Sequence, residues 1–343
     1  MNIPPLFILA LCVACALCAC SQPEDARSTE LGAWFERPSD PWPKMLSTLN
    51  VYLDASDLSV TPEGVVGYEP TYPLWSNGSA KTRHIVLPQG TRITPTSDRT
   101  SWTYPVGTVL LKTFSFKTPQ GLRHIETRVM RKEPQADEWS YAHYLWDESG
   151  EDARLLDMRR TVPVDVTLES GQSITHVVPN KLQCRQCHEA SPRWVLGLSA
   201  RQLEGGDQLE RMQQVGVFSQ PPERPAPLGD AANLDTWAKG YFLGNCTHCH
   251  NGWGESINSV YSLYPEDALD NLVNRETEGN ASAVGVRMIP GNAQDSVLYQ
   301  AVAGGDDDME LKAMPPLGVQ VIDPQTLELL ASWIDSYPSE NTP

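Results

Sequence analysis

The chain has 343 residues, of which 40% are hydrophobic and 20% are charged. A packed core is therefore possible, and disorder along the whole chain is excluded. Acidic residues outnumber basic ones 43 to 26, which gives a formal net charge of −17. This excess argues against nucleic acid as a partner, because contacts to phosphates need clustered Lys and Arg.

The acidity is concentrated in the C-terminal half of the chain. Residues 184–343 contain nine basic and 22 acidic side chains, a net charge of −13. A field of this sign attracts a basic partner at long range. The alternative is that the acidity serves only solubility.

The N-terminus has the pattern of a targeting segment. The chain is apolar and uncharged from Ile3 to Leu17, and small residues precede Cys20. This is typical of a bacterial lipoprotein signal, whose cleavage leaves a cysteine that carries lipid. We predict a signal peptide over residues 1–20 and a lipid anchor on Cys20, on the periplasmic side of a membrane, with the outer membrane favoured. The alternatives are an uncleaved anchor and cleavage by the ordinary signal peptidase.

Residues 21–180 divide into a polar segment and a β-rich region. Residues 21–43 are polar and rich in proline, which predicts a flexible tether. In residues 44–180, short β-branched and aromatic runs alternate with Pro and Gly, which predicts a β-rich, sandwich-like domain. The predicted strands are His84–Leu87, Thr108–Phe116, Ile125–Met130, Tyr141–Trp146 and Val162–Leu168. Four histidines occur singly there and are interpreted as structural: His84, His124, His143 and His176.

Two identical Cys-x-x-Cys-His frames follow the β-rich region. The first contains Cys184, Cys187 and His188, and the second contains Cys246, Cys249 and His250. This order is the attachment pattern of c-type haem. Two thiols three residues apart each bond one haem vinyl group, and the adjacent histidine gives its imidazole to the iron. The frames therefore predict two covalently attached haem c groups.

A zinc ribbon is the main alternative for these four cysteines, since it also uses Cys-x-x-Cys pairs. Zinc does not need a histidine directly after both pairs. The predicted export signal also favours haem over zinc. Haem is therefore the preferred interpretation.

The sequence around the frames has the pattern of helices. Together with the β-rich region, this predicts an α+β chain with a cytochrome c-like haem region. We assign residues 181–232 to a first haem-binding segment and residues 233–343 to a cytochrome c-like domain with the second haem. Asp207 and Glu210 predict a capping box. Further helices are predicted over Leu234–Asn245 and after Asp323, where Pro324 suits the first turn.

Each iron has one axial position left for a sixth ligand. For the second haem we predict Met314, because the two prolines that follow it stiffen the loop; Met288 and Met309 are the competitors. For the first haem, Met212 is one candidate. A histidine, His176 or His248, is another, and an open or water-ligated iron is the third.

Several segments together resemble a known family. Tyr72–Gly78, Val106–Leu110 and Ile125–Arg128 precede the first frame; Gly240–Phe242 and Asn245 introduce the second, and Ile289–Asn292 leads towards Met314. In this order they resemble exported bacterial diheme c-type cytochromes, many of them conserved hypothetical lipoproteins. The resemblance covers residues 45–336. It implies a β-rich N-terminal region, two haem-binding segments and electron transfer.

The leading functional hypothesis is a periplasmic electron carrier whose acidic C-terminal half orients a basic redox partner. One alternative is a haem enzyme of the diheme-peroxidase type, which needs an open iron position. Another is a haem subunit accessory to a periplasmic dehydrogenase. In that case Trp75, Trp102, Trp139 and Trp146 could form a recognition surface on the β-rich domain.

Overall fold

A computed structural model describes residues 30–37, 40–96, 102–135, 138–189, 195–230, 232–252, 261–277, 285–306 and 311–339. The predicted signal peptide and Cys20 lie outside these ranges, as does Met309. None of the helices within them has both the length and the apolar character needed to cross a bilayer.

An antiparallel sheet of six strands forms the N-terminal part of the protein. The strands follow one another in the sheet in chain order. They are β1 (Val65–Gly67), β2 (Ala80–Val86), β3 (Val109–Thr118), β4 (Gly121–Lys132), β5 (Trp139–Trp146) and β6 (Ala153–Leu155). A separate hairpin follows, made of β7 (Val162–Thr167) and β8 (Ser173–Val178). The predicted strands are confirmed to within one residue: Leu87, Thr108 and Leu168 lie just beyond the ends of β2, β3 and β7.

Each face of the sheet buries its own hydrophobic cluster. One face, with Leu111, Val129 and Tyr144, packs against the short segment that precedes β1. The opposite face, with Leu110 and Met130, packs against residues that follow the sheet. The α+β class is therefore confirmed. The sandwich-like prediction expects a second sheet of similar size against the first, but in the described part of the chain helical and irregular segments cover the sheet.

The segment before β1 is folded for most of its described length. Two 3-10 helices, Ala33–Glu36 and Leu46–Leu49, lie on the sheet. The Trp34 ring is buried and stacks on Trp42 with 4.9 Å between centroids. The guanidinium of Arg131 lies about 5 Å from both rings. The tether predicted over residues 21–43 therefore ends earlier, because these tryptophans bury their apolar area against the sheet.

The chain beyond the sheet is mainly helical. Its elements are α1 (Lys181–His188), α2 (Gln208–Gln214), α3 (Leu234–Asn245), α4 (Ala268–Leu272), α5 (Val297–Val302), a small hairpin of β9 (Gly305–Asp306) and β10 (Leu311–Lys312), and α6 (Pro324–Asp335). Helices α3 and α6 pack through Phe242 and Trp333, whose rings meet edge to face with 5.5 Å between centroids.

The helix starts test two predictions. Asp323 caps α6 as predicted, because its Oδ1 accepts from the backbone N–H of Gln325 at 3.2 Å. The capping box predicted at Asp207 and Glu210 is wrong. The Asp207 carboxylate makes no capping hydrogen bond and instead forms an ion pair with Arg211 at 2.9 Å.

His84 provides a test of the sheet's burial. This side chain is 2% exposed, and desolvation lowers its pKa to about 4. The unfolded chain takes up a proton near pH 6.5, whereas the folded chain does not until about pH 4. This difference lowers the stability by about 3 kcal/mol as the pH falls through that window, and it leaves stability unchanged above pH 6.5.

We expect His84→Gln to remove this part of the pH dependence. Denaturant unfolding between pH 4 and pH 7.5 measures it, with pH 7.5 as the internal reference. An unchanged slope of stability against pH would contradict the buried neutral state of His84.

Candidate functional site

A cavity of 390 Å³ lies between the sheet and the helical part of the chain. Its walls include Cys184, Cys187 and His188 of the first frame. Thr247 and His248 of the second frame also line it. The fold thus brings both frames to one cavity, although 62 residues separate their final histidines.

Helix α1 fixes the first frame. Its N-cap residue Asn180 and Gln183 form a reciprocal capping box, with hydrogen bonds of 3.0 and 3.1 Å. Cys184 follows on this capped first turn and faces β5, where its sulfur lies 3.3 Å from Nε2 of His143. A helix three turns or less in length depends on such local anchoring, because short helices are marginal by themselves.

The second frame follows directly from α3. The last residues of the helix are Gly244 and Asn245, and Cys246 is its C-cap. The backbone N–H of His250 donates to the carbonyl of Cys246 at 2.8 Å, which closes a turn around the frame. The imidazole of His250 lies against the ring of Tyr261, with 4.7 Å between centroids.

None of the four cysteines of the frames forms a disulfide. Burial raises the pKa of Cys184 and that of Cys246 to about 12. Both are therefore uncharged at neutral pH. A neutral imidazole is also what iron ligation requires, and burial lowers the pKa of His250 to about 4.

The two frames meet at a group of three potential ligands. Cys187, His248 and Cys249 place one ligand atom each within 4.8 Å of one another. The Cys249 thiol and the nearby His248 hold the pKa of Cys187 well below its ordinary value. This cluster joins residues of both frames.

A loop of the β-rich region holds the second frame in place. The backbone N–H of Trp75 donates to Oδ1 of Asn245 at 2.8 Å, and its indole N–H donates to the carbonyl of Val321 at 2.7 Å. Asn77 accepts from the backbone N–H groups of Gln320 and Val321 at 2.7 and 2.9 Å. The segment Tyr72–Gly78, one of those that carry the family resemblance, thus connects the sheet to the residues that introduce the second frame.

Two glycines of α3 permit this contact. A Cβ at Gly240 would lie 2.3 Å from the Tyr72 ring, and one at Gly244 would lie 2.5 Å from the Tyr72 carbonyl oxygen. Only glycine lets the helix approach Tyr72 this closely.

The methionines predicted or considered for the second haem occupy different environments. Met314 is half-buried and packs beside Ala301 and Leu311, and the two prolines after it line the cavity. Met288 is fully buried in the helical core. Met314 itself does not line the cavity, so its ligation of the second haem stays a prediction.

The residues considered as the sixth ligand of the first haem also lie in different environments. Met212 is 2% exposed and packs in the core of the cavity-side face, but it does not line the cavity. His176 is held by Glu126, with 2.7 Å between Nε2 and the carboxylate. His248 lines the cavity.

Met130 and His143 are among the cavity residues that sequence reasoning missed. His143 was interpreted as structural, yet it lines the cavity and contacts Cys184. Strand alternation places both side chains on the same face of the sheet, but only the tertiary structure shows that a cavity lies against that face.

Comparison of the chain with protein-family models, curated proteins and solved structures finds no match.

The close approach of α3 to Tyr72 leads to a prediction. Gly244→Ala should destabilise the protein by about 1–3 kcal/mol, because an added methyl group overfills a packed contact. Denaturant unfolding measures this loss, and Ser332→Ala on the exposed side of α6 is the control. A Gly244→Ala protein as stable as the parent would show that this contact is loose.

Proposed function

We propose that the protein is a diheme c-type cytochrome that transfers electrons, with haem attached at Cys184 and Cys187 and at Cys246 and Cys249. The observation that carries the proposal is the convergence of the two frames on one cavity, with sulfurs of Cys187 and Cys249 within 4.8 Å. A carrier with two redox centres needs its attachment sites close together, and this arrangement supplies that proximity.

The residues of the first frame fit a haem group. Both thiols are free, both line the cavity, and His188 lines it beside them. The volume of 390 Å³ lies within the range of ordinary cofactor sites, about 300–1,000 Å³. When bound, a haem supplies an iron centre that takes up and releases one electron.

The side chains of the second frame also suit a haem group. Neither of its thiols is in a disulfide, and the imidazole of His250 has a buried Nδ1 that makes no hydrogen bond within the described part of the chain. Burial keeps this imidazole neutral and therefore able to ligate iron. Residues 253–260, which follow the frame, lie outside the described ranges.

The protein's contribution is to hold the attachment points rigidly. The capping box fixes the first frame on α1, and the Trp75–Asn245 hydrogen bond fixes the second at the end of α3. Groups attached to Cys187 and Cys249 are neighbours by this construction. Electron exchange between them then needs no movement of the fold.

A structural zinc site is the second candidate, because Cys187, His248 and Cys249 are grouped. Tetrahedral structural zinc takes four ligands. Within the described residues the group offers three, since Cys184 contacts His143 and Cys246 packs in the helical core. Zinc would also leave His188 and His250 without a role, which is why haem is preferred.

The tryptophans considered as a recognition surface are mostly buried. Trp102, Trp139 and Trp146 are each 7% exposed and belong to the clusters on the two faces of the sheet. Of the four tryptophans considered, only Trp75 is not buried, which leaves little of the proposed recognition surface. We retain electron transfer as the proposal, with export, a lipid anchor on Cys20 and a basic redox partner as parts of it.

Replacement of the cysteines in pairs tests the attachment. Each of the double variants Cys184→Ala/Cys187→Ala and Cys246→Ala/Cys249→Ala should lose one covalent haem and keep the other. The haem content per chain, measured by absorbance and intact mass after expression with a c-type maturation system, gives the result. Retention of two haems by either variant, or zinc in place of haem in the parent, would contradict the proposal.

Met314→Ala tests the sixth ligand of the second haem. A thioether ligand stabilises ferrous iron, so its removal should lower the reduction potential of one haem while both haems stay attached. Redox titration followed by absorbance measures the change. Met288→Leu, a volume-conserving change in the helical core, is the control. An unchanged potential in Met314→Ala would rule Met314 out.

A further inference from the structure

The cavity-facing side of the sheet carries a row of basic side chains that attachment of haem through cysteine does not use. Arg83 lies directly opposite Lys112, Lys112 lies opposite Arg128, and Arg128 lies opposite His143. All four side chains line the cavity. We call Arg83, Lys112 and Arg128 the cationic row.

Arg83 is buried, whereas Lys112 and Arg128 are half-buried. Arg83 is 7% exposed, and His143 at the end of the row is 2% exposed. Burial holds the pKa of Lys112 well below its ordinary value, and repulsion from Arg83 and Arg128 acts in the same direction. Like charges directly opposite each other on neighbouring strands destabilise a sheet. The native structure therefore has a reason to hold negative charge beside these residues.

The chain itself supplies part of that negative charge, because Glu69 acts on Arg83 and Glu126 acts on Lys112 and Arg128. Glu126 pairs with Arg128, with 2.5 Å between an oxygen and the guanidinium, and it also contacts His176 at 2.7 Å. Burial alone would raise the pKa of Glu126, but Arg128 and His176 outweigh it and lower that pKa. Across the described ranges, no carboxylate forms an ion pair with Arg83 or Lys112.

An apolar row lies beside the cationic row. Leu110 is opposite Met130, and Met130 is opposite Tyr141. These three side chains also line the cavity. Leu110 and Met130 lie two residues along their strands from Lys112 and Arg128, on the same face of the sheet. The cavity wall is thus apolar on one side and cationic on the other, which suits a ligand with an apolar body and carboxylate groups.

We propose that Arg83, Lys112 and Arg128 bind the carboxylate groups of an amphipathic ligand inside this cavity. Two sources offer that chemistry. One is the pair of propionate groups of a haem attached at Cys184 and Cys187, and this source rests on the proposed function. The other is a free apolar carboxylate that enters the cavity, and this source does not depend on haem.

Lys112→Met is the decisive variant, and Lys117→Met is its matched control. Both lysines lie on β3, but Lys117 is exposed and does not line the cavity. The purified full-length protein, from a host that matures c-type haem, is titrated calorimetrically with octanoate, and its thermal unfolding midpoint is measured. Intact mass reports haem attachment separately, so a failure of the proposed function is visible independently.

Each source predicts its own result. A free-carboxylate site gives saturable octanoate binding that Lys112→Met weakens about tenfold and Lys117→Met leaves unchanged. A propionate site gives haem-loaded protein without octanoate binding, and Lys112→Met lowers the unfolding midpoint while Lys117→Met does not. If Lys112→Met does not fold, Arg83→Met replaces it on the neighbouring strand.

Three results would overturn the proposal. In the first, octanoate does not bind and Lys112→Met unfolds at or above the midpoint of the parent. This would mean that Lys112 is an uncompensated buried charge, whose removal stabilises the protein. The second is octanoate binding that Lys112→Met does not weaken. The third is absence of both haem and octanoate binding.

Discussion

The alternation of side chains along β3 and β4 is the constraint on which the cavity depends. Neighbouring residues of a strand point to opposite faces, so Leu111 and Val129 enter one hydrophobic cluster while Lys112 and Arg128 face the cavity. A slip of one residue would bury the charges in the apolar cluster. The register of these long strands therefore determines both the stability of the sheet and the chemistry of the cavity wall.

The two halves of the chain are joined at this cavity. Helix α1 places the first frame against β5, and the loop that contains Trp75 holds the second frame through Asn245. The β-rich region contributes directly to the candidate site, because it supplies a wall of the cavity and the hydrogen bonds that position a frame. Segments far apart in the sequence, such as Tyr72–Gly78 and Asn245, are therefore in contact beside the same cavity.

Sequence patterns predicted the local features well. The long strands, α3 and the capped start of α6 follow from hydrophobic periodicity and N-cap chemistry, which act over a few residues. The capping box at Asp207 failed because Arg211, one turn later, competes for its carboxylate. The tether predicted over residues 21–43 ends earlier than expected, because Trp34 is buried in the part of this segment that the structure describes.

The arrangement of the site could be predicted only in part. The frames themselves identify their cysteines and histidines, because that chemistry requires a fixed order of neighbouring residues. The meeting of Cys187 with Cys249, and the alignment of Arg83 with Lys112, depend on tertiary packing and strand register, which no local pattern encodes. His143 is the clearest example, since a single histidine on a strand gives no sign of a cavity beside it.

Peptide mapping of the mature protein by mass spectrometry tests the central claim most directly. The account predicts that the peptide containing Cys184 and Cys187 and the peptide containing Cys246 and Cys249 each carry one covalently bound haem. Unmodified peptides from both frames, in a protein that retains zinc, would contradict it.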